Sequence, residues 1–417
     1  MKILLINKSY SIGGAAIAAR RLWKALLKSK VDAVFMVYDE THSKDDRLEI
    51  LTNGKLGLLK WWLFFIMERI YFLPFEKDKS VRFSFSPAVA GRNIARLKPV
   101  QSADVIHLHW FNQGFLSMKN LRQIGKLQKP IVWTLHDMWA FTGGCHYNSE
   151  CYNYSNDCGN CWYLKKPATH DLSYRVLQQK KGWYSNVNIT FVTCSSWLKE
   201  EAEKSSVLKG KRILSIPNPI DTQLYVSANR IQIRQELKLS PEKKYILFGA
   251  ANVNDERKGI KFLVEALGQL KDSIEIEVLL FGKNGNITAN QLPFKTHDFG
   301  LIGSVPQLVR LYQAADLFVL PSLQDNLPNT VMESMACGTP VVAFKIGGIP
   351  EMIDHQQNGY LAEYKSAEDL ADGIKWILDN NKDNVLGKAA RQKVIREFSE
   401  EVVAQKYINL YQSLLNE

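Results

Sequence analysis

Asp325 and Glu333 are two carboxylates with seven residues between them, one in a polar loop and the other inside the helical-period run Val331, Met332, Met335, Ala336. An ionised carboxylate only accepts hydrogen bonds, so such a pair suits sugar hydroxyls rather than phosphate. Phosphate suits the backbone N–H groups of the loop and first helical turn around Asn326, Leu327, Pro328, Asn329 and Thr330. Lys258 precedes a second amphipathic run with Leu263, Ala266 and Leu267. An ammonium at the start of a helix is unfavourable unless an anion is bound there, which makes Lys258 a candidate diphosphate ligand. His136 closes the apolar run Pro130–Asp137, and His109 closes Asp104–Trp110. Cys145, Cys151, Cys158 and Cys161, spaced by five, six and two residues, supply enough thiolates for a tetrahedral zinc ion. Only the last two have the tight Cys-x-x-Cys spacing, so free thiols and redox bonding stand as alternatives.

The elements that must position these groups read as strands alternating with helices. Lys2 to Asn7 is an apolar strand, Gly13 and Gly14 form a turn, and Ala16, Ala19, Leu22, Trp23 and Leu26 lie on one side of a helix. This is the opening unit of a doubly wound sheet, in which the carboxyl ends of strands line the ligand crevice. Further strands are read at Val34–Val37, Ile189–Cys194, Ile213–Ile216, Tyr245–Ala250, Ile274–Gly282, Leu317–Leu320 and Val341–Phe344. Pro217, Asn218, Pro219, Ile220 and Asp221 punctuate the chain as an interdomain crossing. Phe398–Leu415 reads as an amphipathic terminal helix. At 417 residues the chain is long enough for two domains, and 46% hydrophobic with 23% charged residues is a globular balance.

A net charge of +11 attracts phosphates of any kind without selecting one. Basic residues are interleaved with acidic ones and no recognition module is present, so nucleic acid is not an expected partner. The amino terminus lacks the features of a signal peptide and no span of eighteen apolar residues occurs, which leads to an expected cytoplasmic location. Residues 56 to 75 are unusual: every side chain from Trp61 to Met67 is apolar, so the segment is either buried on most sides or dips into something apolar. Basic residues outnumber acidic ones in and around it, which suits peripheral contact of residues 56–98 with the inner face of a membrane.

The segment Leu320–Met352 resembles the donor-site signature of retaining glycosyltransferases of family 4. The acidic pair Asp325 and Glu333, the helix end Ala336–Val342 and the Gly347–Gly348 turn carry the likeness. So do Thr134–Asp137 as Thr-x-His-Asp, Pro217–Asp221 as Pro-Asn-x-x-Asp, and Lys258–Gly259. The family usually has Glu where this chain has Asp325, and Arg where it has Asn252. Either Arg257 substitutes for that arginine or the diphosphate is held with one cation fewer.

The resemblance implies an α/β fold of the GT-B type, two doubly wound Rossmann-like domains facing across a cleft. Residues 1–218 would form the acceptor-side domain with a Cys-rich insert at 145–161, and residues 219–397 the nucleotide-sugar domain. Residues 398–417 would be a helix packing back on the first domain. It further implies transfer of a sugar from a nucleotide diphosphate sugar to a hydroxyl of a glycan or lipid-linked glycan, with retention, and with no cofactor or divalent metal needed for the chemistry. His136, Lys258 and Asp325 would be catalytic. Gly13, Gly14, Asn252, Arg257, Lys258, Asn326, Leu327, Pro328, Asn329, Thr330 and Glu333 would bind the donor. Colanic-acid-type members carry a similar Cys-rich insert after Thr-x-His-Asp-Met-Trp, which supports a structural role for the four cysteines without identifying a ligand. The rival readings are an epimerase or phosphorylase on the same fold, or a membrane-associated binding protein without catalysis.

Overall fold

A computed structural model describes residues 1–38, 45–52, 54–283 and 289–417. The chain divides into two compact units, Met1–Asn218 with Val403–Glu417, and Pro219–Val402.

The first unit is built on strands β1 (Lys2–Asn7), β2 (Asp32–Val37), β3 (Leu48–Ile50), β4 (Val105–Leu108), β5 (Ile131–Leu135), β6 (Ile189–Thr193) and β7 (Arg212–Ser215). Their order in the sheet is β3-β2-β1-β4-β5-β6-β7, with every pair parallel. A parallel sheet is covered on both faces, which is why its strands are unbroken apolar runs. In β1, Ile3 and Leu5 join one core with Trp23, while Leu4 and Ile6 join another with Leu108 and Trp133. The terminal helix Glu400–Asn416 contributes Val403, Ala404, Tyr407, Leu410, Tyr411 and Leu414 to the first of these cores, at helical spacing.

The second unit holds β8 (Lys244–Asn252), β9 (Ile276–Lys283), β10 (Thr296–Asp298), β11 (Leu317–Leu320), β12 (Val341–Phe344) and β13 (Gly359–Ala362). These lie in the order β10-β9-β8-β11-β12-β13, again all parallel. Strand order reverses between β1 and β4 in one sheet and between β8 and β11 in the other. Those are the two places where a doubly wound sheet opens a crevice at its strand ends.

The helix Gly54–Phe72 settles the reading of the apolar segment. It is not buried on most sides. Glu68 and Phe72 are fully buried, and Trp61 and Phe64 pack against the core beneath. The opposite side carries Leu56, Leu59, Trp62, Leu63, Ile66, Met67 and Ile70 exposed, with Leu56 at 74%. An all-apolar sequence can therefore give a one-sided helix whose outward side is also apolar. The buried Glu68 accepts a hydrogen bond from the Gly114 backbone N–H at 3.0 Å, and burial raises its pKa to about 7. No helix of the described residues is long and apolar enough to cross a membrane.

Candidate active site

In the second unit the predicted residues gather at the ends of β8 and β11. β8 ends at Asn252, whose side chain accepts from the Asn254 backbone N–H. Lys258 does not begin the following helix, which runs Ile260–Leu270; it sits in the 3-10 turn Glu256–Lys258 ahead of it. The left-handed Gly259 breaks the two apart, and a Cβ there would meet the Pro321 carbonyl oxygen at 1.8 Å. Glycine is required by that contact as well as by its φ of 68°. The close approach fixes the loop after β11 against the lysine turn, and the Leu323 N–H donates to the Arg257 carbonyl at 2.7 Å. Lys258 Nζ then lies 2.7 Å from Asp325 Oδ2. Arg257, the other cation, pairs with Asp255, Nη2 to Oδ2 at 2.6 Å.

A second strap holds the far side of that loop. The Gly348 N–H donates to the Asn326 carbonyl at 2.8 Å, and a Cβ on Gly347 would meet the Asp325 carbonyl oxygen at 2.0 Å. The loop leads into the helix Asn329–Ala336, preceded by Pro328 and lacking a side-chain cap on its first turn. Thr330 lies in that turn, and Leu327 is buried beneath it. Ser322, in the same loop, is fully buried and its hydroxyl has no hydrogen-bond partner. Glu333 faces inward, 4% exposed, and accepts from the buried Tyr312 hydroxyl at 3.1 Å. The site is thus a cation, a carboxylate beside it, uncapped helical amides and a buried carboxylate one turn on.

The first unit places its candidates at the ends of β1, β4 and β5. Gly13, with φ 91°, precedes the helix Gly14–Lys28, and nothing lies within 4 Å of where a Cβ would stand. His136 follows β5, and its Nε2 lies 3.0 Å from Nδ1 of His109. Its Nδ1 is 3.5 Å from the Cys194 sulfur, which in turn donates to Asn218 Oδ1. Burial pushes the His136 pKa down to about 4 and that of His109 well below the ordinary value, so both imidazoles are neutral near pH 7. His107, pushed down to about 3 by burial, bridges the Tyr411 hydroxyl at 2.6 Å and Thr134 Oγ1 at 2.7 Å. Asp137 is held ionised: although burial alone raises its pKa, the adjacent His146 and the hydrogen bonds of Trp139 N–H and Trp110 Nε1–H bring it below the ordinary value.

The four clustered cysteines line one cavity together with Phe85, Gly143 and Gly159. They are free thiols, and among the described residues no group of three or more His, Cys, Asp or Glu side chains is placed to hold a metal ion.

Sequence reasoning did not identify His109 as the partner of His136, Tyr312 as that of Glu333, or the contact between Cys194 and His136. It also passed over Lys180, fully buried with its ammonium 3.6 Å above the Trp139 ring and donating to the Thr142 carbonyl at 2.8 Å. His109 had a usable signal in its place at a strand end. Tyr312 and Lys180 sit inside the helices Val305–Ala314 and Leu172–Tyr184, where nothing in the sequence marks them.

Residues 12–224 match the model of glycosyltransferase family 4, and residues 243–380 that of glycosyl transferases group 1. The chain is 28% identical over 98% of its length, and 96% of the relative, to N-acetyl-alpha-D-glucosaminyl L-malate synthase of Bacillus anthracis. It is 32% identical, over 38% of its length and 42% of the relative, to N,N'-diacetylbacillosaminyl-diphospho-undecaprenol alpha-1,3-N-acetylgalactosaminyltransferase of Campylobacter jejuni. Among solved structures, HepE of Anabaena in complex with UDP-glucose superposes with a TM-score of 0.65 at 18% identity, covering 99% of this chain and 100% of that one. A likeness at that identity establishes the shared GT-B fold.

Proposed function

The chain belongs to glycosyltransferase family 4, and from that premise we propose that it moves a sugar from a nucleotide diphosphate sugar to a hydroxyl of a growing surface glycan, with retention and without a catalytic divalent metal. The observation that carries this reading is the Lys258–Asp325 pair at 2.7 Å, held by backbone straps beside the uncapped helix Asn329–Ala336. The lysine and the amides around Asn326–Thr330 suit a diphosphate, whose charge grows as the bond to the anomeric carbon breaks. The buried Ser322 hydroxyl supplies one more unspent group in that loop. Glu333, held by Tyr312, suits the ribose hydroxyls, and Asp325 suits the sugar. Arg257 and Asn252 stand at the same strand end as the remaining donor contacts. In this reading the neutral His136 and the Gly13–Gly14 turn serve the sugar and the acceptor. The acceptor oxygen bonds to the anomeric carbon and its proton passes to the leaving diphosphate. The UDP-glucose in the Anabaena neighbour supports the donor class.

The deciding experiment offers a panel of labelled nucleotide diphosphate sugars with and without glycan acceptors. Release of nucleoside diphosphate that needs an acceptor and is lost in Lys258→Ala is the expected result. Turnover without acceptor would point to an epimerase or phosphorylase. If no donor shifts the melting temperature, the donor site itself is misassigned, since a ligand at a hundred times its Kd adds about 2.7 kcal/mol.

The acceptor is further proposed to be lipid-linked and reached at an anionic membrane surface through the helix Gly54–Phe72. Its outward apolar side is flanked by the exposed Lys55, Lys60, Lys77 and Lys79, and each basic residue near such a surface contributes about 1 kcal/mol. The undecaprenol-linked acceptor in the Campylobacter relative's name supports this class. Serine at Leu59, Trp62, Ile66 and Ile70 touches only exposed positions, so the fold should survive while binding to anionic vesicles is lost. Wild-type protein that ignores such vesicles at low salt would end the proposal.

A further inference from the structure

A cavity in the segment that follows His136 is lined by every one of the four clustered cysteines, and none of the proposed donor residues lines it. Its walls are built from backbone that has been bent at some cost. Cys158, Gly159 and Asn160 all have positive φ, at 57°, 92° and 48°. Of these, cysteine rarely adopts that region, so the turn must be over-determined by its surroundings. The ties are visible. The Cys158 N–H donates to the Asn153 carbonyl at 2.9 Å, the Gly159 N–H to Ser173 Oγ at 3.0 Å, and the Asn160 N–H to the Ala168 carbonyl at 2.8 Å. The Cys161 N–H donates to Asp171 Oδ2 at 2.8 Å, and Asp171 also caps the helix Leu172–Tyr184. A Cβ on Gly159 would meet the Thr169 carbonyl oxygen at 2.3 Å. The consequence of this tying is that a Cys-x-x-Cys turn faces Cys145 and Cys151 across a small space.

The backbone N–H groups of Gly143 and Tyr163 lie near the Cys158 and Cys161 sulfurs. The buried Lys180 side chain lies near both Cys145 and Cys158. Four protonated thiols have no use for that many donors, whereas four thiolates around a divalent cation carry an excess of negative charge that amide N–H groups and an ammonium offset.

We propose that this cavity is a structural zinc site whose ligands are Cys145, Cys151, Cys158 and Cys161. The side chains stand as free thiols that do not yet converge on a common point. The cavity shared by all four cysteines and the tied Cys-x-x-Cys turn carry the inference, and metal binding would bring the sulfurs onto the ion with loss of four protons. A purely sulfur set suits zinc or iron, and zinc is proposed because the site's role is to order a loop. The ion would pin residues 145–161 beneath the His136 segment, through Trp139 and Thr142, whose carbonyls Lys180 already holds.

Full-length protein purified without a metal-binding tag, under reducing conditions, tests this directly. One zinc per chain by elemental analysis is expected, with the four thiols reacting with Ellman's reagent only after chelation. Cobalt exchanged into the site should give the visible absorption of a tetrahedral thiolate complex. Cys158→Ser should lose the metal and Cys337→Ser should keep it. Substoichiometric zinc with freely reacting thiols would overturn the proposal, as would iron in place of zinc or a mass showing disulfides among the four. These readouts on the wild-type protein stand even if Cys158→Ser fails to fold, and none depends on glycosyl transfer.

Discussion

The two sheets have the same kind of strand-end crevice and equip it in opposite ways. At the ends of β8 and β11 the functional groups are charged and partly exposed: Lys258 against Asp325, Arg257 against Asp255, with Glu333 behind them. At the ends of β4 and β5 they are largely neutral and buried: His107 hydrogen-bonded with Thr134 and Tyr411, Thr134 in turn with Tyr407, and His109 with His136. Placing a charge costs little where solvent reaches it, and the charged site can therefore meet an anionic diphosphate directly. A buried imidazole escapes that cost only by staying uncharged. One crevice is thus suited to holding charge and the other to offering hydrogen bonds without it.

Acid should break this contrast first. A histidine with a depressed folded pKa is neutral in the native state, while the unfolded chain takes up a proton below about pH 6.5, so stability is full above that value and falls as pH falls toward the folded pKa. With His107 at about 3 and His136 at about 4, two pH units of acidification to pH 4.5 would cost up to about 5 kcal/mol for the pair. Calorimetry should show the first unit melting earlier as pH is lowered from 6.5 to 4.5, and His107→Asn should flatten the slope. Equal loss in both units would mean that the histidines are not what distinguishes them.

Lys258→Ala tests the charged half. Removing a cation aimed at developing phosphate charge should cost about 3 kcal/mol, on the order of a hundredfold in kcat/KM, with little change in melting temperature. A large fall in stability instead would make the Lys258–Asp325 pair structural. Glu333→Gln keeps the shape and weakens the charge-assisted bonds, so the donor KM should rise by the equivalent of about 2 kcal/mol. An unchanged KM would remove Glu333 from the ribose. The smallest effect is expected from Tyr312→Phe, which deletes the hydroxyl that donates to Glu333 and should weaken donor binding by about 1 kcal/mol. If that variant matches Glu333→Gln in size, the tyrosine rather than the carboxylate orients the donor.

The second unit was the more legible because its site is assembled from short pieces whose residue types betray their use. Lys-Gly before a helix, a carboxylate in a loop and another one helical turn beyond it can be read along the chain. Reading along the chain placed Lys258 at the start of the helix, whereas it sits in the turn ahead of it, since the break depends on a left-handed Gly259 pressed against Pro321. The apolar helix Gly54–Phe72 was ambiguous for a different reason. Its sequence has no polar face, and only the positions of Trp61, Phe64, Glu68 and Phe72 against the core decide which side looks outward.

By itself the sequence determined the alternation of strand and helix, the parallel character of both sheets and the likeness of Leu320–Met352 to the family signature. Each of these is written in local periodicity or in a run of neighbours, and apolar runs of strand length leave little choice of element. The tertiary structure alone decided that Lys258 meets Asp325, that His109 rather than a carboxylate backs His136, and that Tyr407 and Tyr411 of the last helix reach His107 and Thr134. Those pairs are separated by 67, 27 and about 270 to 300 residues. Their meeting depends on sheet order and register, which arise when whole elements pack on one another and leave no mark on the residues between.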